Sequence, residues 1–200
     1  MELLYKVHNN LYVNLTNRCP YACTFCLRQT RDQMGQSGLL WLEREPSAEE
    51  VIAEFEKFDM TQYHEVVFCG FGEPMMALDV LLKVAAFVKQ TYQKPIRINT
   101  NGAGNLIYGR NVVPELKGLV DCVSISLNHP DKEQYEELVR SNYKGQSYDA
   151  MLAFARECVG VIPKVVLTTV ATTISAEEEE RCRAICDEIG AEYRIRPWEG

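Results

Sequence analysis

The strongest constraint on the fold is a recurrence. An apolar, β-rich run followed by polar or glycine-rich residues appears six times, and helical periodicity fills the intervals. The runs cover 11–15, 65–69, 96–99, 122–127, 165–170 and 193–196. Strands separated by helices cannot form hairpins with one another; they pair in parallel through crossover connections. With no segment left over to close a ring, the pattern predicts an α/β fold, an open partial (β/α)6 barrel of parallel strands in a single domain over 1–200.

Helix signals punctuate the intervals. Ser47-Ala48-Glu49-Glu50 and Ser175-Ala176-Glu177-Glu178 are capping boxes, and Gly190 is a natural residue just past a helix end. Val51, Ile52, Phe55 and Phe58 form one apolar stripe; Val80, Leu81, Val84, Ala85 and Val88 form another. A short helix is expected near 112–116, one opened by Pro130 and Asp131, and one over 148–158. Each unusual motif follows a strand. That places all of them on the carboxyl edge of the sheet, where α/β folds bind ligands.

Composition narrows the function classes. The chain has 200 residues, 46% hydrophobic and 24% charged, which is ordinary for a globular protein. Its net charge of −7 gives no strong nucleic-acid-binding signal. The start, MELLYKVHNN, lacks a signal peptide's apolar run, and no stretch approaches a membrane span. The expected location is cytoplasmic, where eight cysteines are poor candidates for a disulfide framework.

Three of those cysteines, Cys19, Cys23 and Cys26, lie within eight residues. Close thiolate spacing suits one loop wrapped around one iron–sulfur cluster. Three ligands rather than four leave a coordination position open, as reactive metal sites do. A structural zinc with a distant fourth ligand, His64 or Cys69, is the alternative. It is disfavoured because no second Cys-x-x-Cys follows.

At these residues the chain resembles the radical S-adenosylmethionine (SAM) superfamily, whose signature is Cys-x3-Cys-x2-Cys with an aromatic before the third cysteine, here Phe25. More closely it resembles the short radical SAM proteins associated with TatD-family nucleases. The matching stretches are YVNLTNRC (12–19), LWLEREP (40–46), VFCGFGEP (67–74), RINTNG (97–102) and SISLN (124–128). The resemblance implies a 4Fe–4S cluster on Cys19, Cys23 and Cys26, with SAM chelating the fourth iron. Reductive cleavage would give methionine and a 5′-deoxyadenosyl radical that takes hydrogen from an unidentified substrate. It implies an electron donor such as flavodoxin or ferredoxin, and a functional link to a TatD-family nuclease.

Further roles follow from the resemblance. Phe25 would lie near the adenine. Gly70, Gly72, Glu73 and Pro74 would form the turn that receives the methionyl ammonium; Phe71 departs from the common Gly-Gly-Glu-Pro. Ser124, Ser126 and Asn128 alternate on one strand face and resemble the polar positions that bind the ribose hydroxyls or the carboxylate of SAM. They fit equally a core strand with serines bonded to backbone. Asn99 and Asn101 carry the same two readings, and Asn101-Gly102 is also a turn signal. Arg194 and Arg196 share one face of the last strand, where an anion, from SAM, substrate or a side chain, would have to pair them.

Other features read as structural. Cys182, Ile185, Cys186 and Ile189 follow the spacing of a buried stripe, and Cys69, Cys122 and Cys158 read as core. No auxiliary-cluster domain is expected. Trp41, Glu43 and Glu45 contact substrate or pack beneath the loop, and Arg28 and Arg31 add positive field or are simply solvated. His8, His64 and His129 receive no catalytic role. Two other functions compete with hydrogen abstraction from a free substrate: an activase that installs a radical on a partner protein, and a non-enzymatic electron-transfer or zinc module.

Overall fold

The computed structural model describes residues 2–34 and 37–198. Seven strands pair in sequence order into one sheet: β1 (Leu4–Val7), β2 (Asn10–Val13), β3 (Val66–Phe68), β4 (Ile96–Thr100), β5 (Cys122–Ser126), β6 (Lys164–Val170) and β7 (Glu192–Arg196). β1 runs antiparallel to β2, and every later pair is parallel. β1 and β7 are the two ends of that order, so the sheet is an open partial barrel.

The six parallel strands are those expected; β1 is an addition. It spans four residues and returns through His8 and Asn9, with His8 in the left-handed region at φ 51°. No glycine marks that turn, so the usual hairpin signal is missing.

Helices α1 (Ala48–Glu54), α2 (Leu78–Thr91), α3 (Gly104–Tyr108), α4 (Val113–Leu116), α5 (Lys132–Val139), α6 (Ser147–Val159) and α7 (Ala176–Ile189) fill the crossovers. Strand alternation decides which face they cover. Leu11 and Val13, Val66 and Phe68, Ile96 and Ile98, Val123 and Ile125, and Val165 and Leu167 are buried in one core with the apolar stripes of the helices. The register lines them up, Val13 opposite Phe68, Phe68 opposite Ile98, Ile98 opposite Val123 and Ile125 opposite Leu167. The intervening residues, including Tyr12, Arg97, Asn99, Ser124 and Ser126, face inward.

Both capping boxes form, at Ser47 with Glu50 and at Ser175 with Glu178, and Gly190 ends α7 at φ 83°. Several expectations need adjusting. The first stripe's helix stops at Glu54 and tightens into a 3-10 turn over Phe55–Lys57. Asp131 is the N-cap of α5, which leaves Pro130 ahead of the helix. The short α3 had no periodic signal. Cys158, Cys182 and Cys186 are fully buried, but Cys69 and Cys122 are only partly so, because each occupies an inward-facing strand position. Among the described residues no helix is long and apolar enough to cross a membrane.

The Glu50 carboxylate accepts the Ser47 N–H at 2.8 Å and pairs with Arg44. The Arg44 hydrogen bond leads the causes that lower its pKa from 4.5 to about 2. A depressed carboxylate stabilises above its unfolded pKa and loses that contribution as pH falls through the folded value. The melting temperature of Glu50→Gln should therefore lie below wild type above about pH 5, with the gap closing towards pH 2. Thermal melts across that range check it; a constant gap would show that the box is not the source.

Candidate metal and cofactor site at the carboxyl edge

The cysteine loop leaves β2 at Asn14 and crosses the carboxyl edge of the sheet. On its far side it is strapped to the end of α5. Ala22 N–H donates to Val139 O at 3.0 Å, Thr24 N–H to Leu138 O at 2.9 Å, and Asn142 N–H to Pro20 O at 3.0 Å, with Tyr21 bridging Ser141. A segment that follows β2 is thereby carried to the segment that follows β5.

On its near side the loop meets the turn after β3. A Cβ on Gly72 would lie 2.2 Å from Thr16 O and 2.7 Å from Arg18 O, and one on Gly70 would lie 2.1 Å from Asn14 Oδ1. Both glycines are thus demanded by the approach of two protein segments. Glu73 N–H donates to Arg18 O at 2.8 Å. Its carboxylate is 4% exposed and accepts from Met75 N–H (3.1 Å), Thr100 Oγ1 (2.7 Å) and Asn101 N–H (2.8 Å). Glu73 therefore joins the turns after β3 and β4 to the cysteine loop. Burial raises its pKa to about 6 against the opposing pull of those three donors.

The turn after β4 completes the contact. Asn101 Oδ1 accepts the Ala103 N–H at 2.9 Å, and its Nδ2 lies 3.8 Å from Cys19 Sγ. Asn101 is both the turn residue and a neighbour of the first cysteine. Burial, then the Glu73 charge, raises the Cys19 pKa to about 11, with Arg28 pulling the other way. Burial, then Cys19 and Cys26, raises Cys23 to about 12. Both thiols are protonated at neutral pH in the metal-free chain, so metal loading must expel their protons.

The Arg28 guanidinium is engaged by backbone carbonyls. Nη2 donates to Tyr21 O at 3.1 Å, and Nη1 reaches Asn17 O at 3.4 Å and Phe71 O at 3.5 Å. Residues of the 40–46 segment make contacts within the chain as well. Trp41 packs on Phe71 with ring centroids 5.1 Å apart and donates to Asp32 at 3.0 Å. Asn14 Nδ2 donates to Leu40 O, Asn17 makes a two-point contact with the Leu42 backbone, and Glu45 accepts from Thr16 and Arg18. Phe71, the departure from Gly-Gly-Glu-Pro, is the partner of Trp41. Asn17 and Arg18 carry no individual signal in the sequence, since each pairs with a partner at least 25 positions away.

The other expected residues lie on the inner face. Asn99 Oδ1 accepts from Arg97, itself paired to Glu65 at 2.7 Å. Ser124 is buried and accepts from Arg194 Nη2 at 3.4 Å. The Arg196 charge acts on Cys69. Ser126 and Phe25 are half-buried, the latter within the cysteine loop. Asn128 is 5% exposed, and its Oδ1 has no hydrogen-bond partner.

The donor set suits a multi-iron cluster better than a single ion. Sulfurs around one tetrahedral zinc lie roughly 4 Å apart, given Zn–S bonds near 2.3 Å. Among the described residues, the trio of His, Cys, Asp or Glu ligand atoms within 4.8 Å of one another is His129, Asp131 and Glu178, not the three cysteines. His64 precedes β3 and so sits at the opposite edge of the sheet. A buried amide oxygen without a partner at the same edge is what a bound organic cofactor with N–H or O–H donors would satisfy.

A family model described as the Radical SAM superfamily matches residues 13–188. GTP 3′,8-cyclase 2 of Mycobacterium bovis is 26% identical over 193 residues, 95% of this chain and 50% of that protein. The chain thus spans about half the length of the curated relatives it matches. Among solved structures, a radical SAM methyltransferase from Sphaerobacter thermophilus superposes with a TM-score of 0.65 at 16% identity, over 98% of this chain and 69% of that one. Streptococcus suis SuiB bound to S-adenosylmethionine gives 0.64 at 17% identity, over 94% and 38%.

Because a methyl at Gly72 meets backbone rather than a yielding side chain, Gly72→Ala should destabilise the metal-free chain by about 1–3 kcal/mol and sharply lower iron uptake. Chemical denaturation and iron analysis after reconstitution check this. Wild-type stability with full iron would show that the two segments need not touch.

Proposed function

The chain belongs to the radical SAM superfamily, whose members are enzymes that use a 4Fe–4S cluster and S-adenosylmethionine, and on that premise we propose that it cleaves SAM reductively to abstract hydrogen from a substrate. When bound and reduced, that cofactor pair supplies methionine and a 5′-deoxyadenosyl radical. Cys19, Cys23 and Cys26 would hold three irons. The observation that supports this reading is the strapping of their loop between the turns after β3 and β4 and the end of α5, with Asn101 beside Cys19.

The chain's own groups divide the work of holding SAM. Glu73 and the backbone of Gly70–Pro74 would accept the ammonium. A buried carboxylate that already takes three donors retains lone pairs for a fourth. Arg194 and Arg196 would supply positive charge for a carboxylate, of SAM or of substrate. Ser124, Ser126 and Asn128, with Asn99 and Asn101, would meet hydroxyls by neutral hydrogen bonds, and Phe25 would lie against the adenine. Glu73 is itself buried, so an ammonium it accepts would be shielded from water on that side.

We assign the chain to the TatD-nuclease-associated branch, on the ordered stretches between 12 and 128, as a single cytoplasmic domain served by a flavodoxin- or ferredoxin-type donor. Anaerobic reconstitution with iron and sulfide should yield about one 4Fe–4S cluster per chain. Its electron paramagnetic resonance signal should change on adding SAM, and dithionite should produce 5′-deoxyadenosine. Cys23→Ala should lose both the cluster and the product. Full turnover in that variant, or none in wild type, would overturn the proposal.

A further inference from the structure

After β5 the backbone does something costly. Leu127 N–H and Asn128 N–H both donate to Thr168 O, at 2.9 and 3.1 Å, so two residues oppose one and the ladder bulges. His129 N–H then donates to Leu127 O at 2.7 Å. This closes a three-residue turn around Asn128, which sits at φ 60°. A γ-turn with positive φ is rare and strained, and asparagine has a side chain that must be carried through it. The same residue presents a buried Oδ1 with no partner. Strain of this kind persists only where surrounding contacts enforce it, and it gathers at ligand sites.

The enforcing contacts come from His129, which is 6% exposed. Its Nδ1 accepts the Asp131 N–H at 3.1 Å, so that nitrogen is unprotonated and Nε2 carries the hydrogen. Nε2 donates to Glu178 Oε1 at 3.2 Å. The other oxygen of Glu178 accepts Ser175 N–H at 2.7 Å within the capping box of α7. Asp131 is committed to Arg181, and Pro130 O accepts Tyr148 Oη at 2.6 Å from α6. With their atoms already engaged, His129, Asp131 and Glu178 form a clamp and not a metal site.

We infer that His129 is a positioning residue: clamped between the Asp131 backbone and the start of α7, it holds Asn128 in the strained turn that aims its amide oxygen at a hydroxyl or N–H donor of the bound cofactor. The inference rests on the reading that SAM binds at this edge. It adds that affinity for SAM depends on a histidine that does not touch it.

The test is a double-mutant cycle on the reconstituted, cluster-loaded protein, reading SAM affinity by calorimetry. His129→Phe keeps ring volume and removes both hydrogen bonds; it should weaken SAM binding ~10-fold. Asn128→Ala should weaken it as well. On the Asn128→Ala background His129→Phe should change affinity by less than about twofold, because the group it positions is gone. His129→Asn keeps an acceptor for the Asp131 N–H and loses Glu178, so it should fall between wild type and His129→Phe. It also carries the test should the phenylalanine variant misfold, which melting and iron content would show. SAM affinity at wild-type level in both His129 variants, or full additivity with Asn128→Ala, would overturn the assignment. If wild type itself bound no SAM, the underlying reading would fall and this inference with it, an outcome that the wild-type control registers separately.

Discussion

The arrangement of the mouth depends on two segments touching without side chains between them. Gly72 lies against the carbonyls of Thr16 and Arg18, and the adjoining Glu73 donates its N–H to one of them while its carboxylate collects Met75, Thr100 and Asn101. Three turns that follow three different strands are thereby fixed by one residue pair. A longer residue at 72 would separate the cysteine loop from the residues it must face. A shorter acid at 73 would not reach across.

Around that contact, charge is held by neutral groups. Arg28 is stitched to carbonyl oxygens of Asn17, Tyr21 and Phe71, and its positive field opposes the burial that keeps Cys19 and Cys23 protonated. Arg18 is instead satisfied by Glu45, at the front of the loop. The inner face carries both kinds of pairing: Arg97 is neutralised by Glu65, while Arg194 donates to the hydroxyl of Ser124.

Much of the fold was legible because strand and helix periodicities are local. The six parallel strands, both capping boxes and the buried Cys182–Cys186 stripe could be read directly. β1 was not, since four residues and a glycine-free turn carry little periodic signal. Cys69 and Cys122 were assigned to the core because apolar runs do not say which face a residue takes. The partners of Trp41 and Glu45 are equally hidden, Phe71 lying 30 positions from Trp41 and Arg18 lying 27 from Glu45.

Local spacing alone carries three cysteines in one loop, a glycine-glutamate turn after one strand and alternating polar residues on another, and strand order sets them at one edge. Folding adds why the glycines are needed, that Glu73 binds its own neighbours before any ligand, and that Asn128 is held in a strained turn by His129. The physical reason is range. Spacing and periodicity report what a residue does to those within a few positions, whereas a buried hydrogen bond or a backbone contact unites residues that only folding brings together.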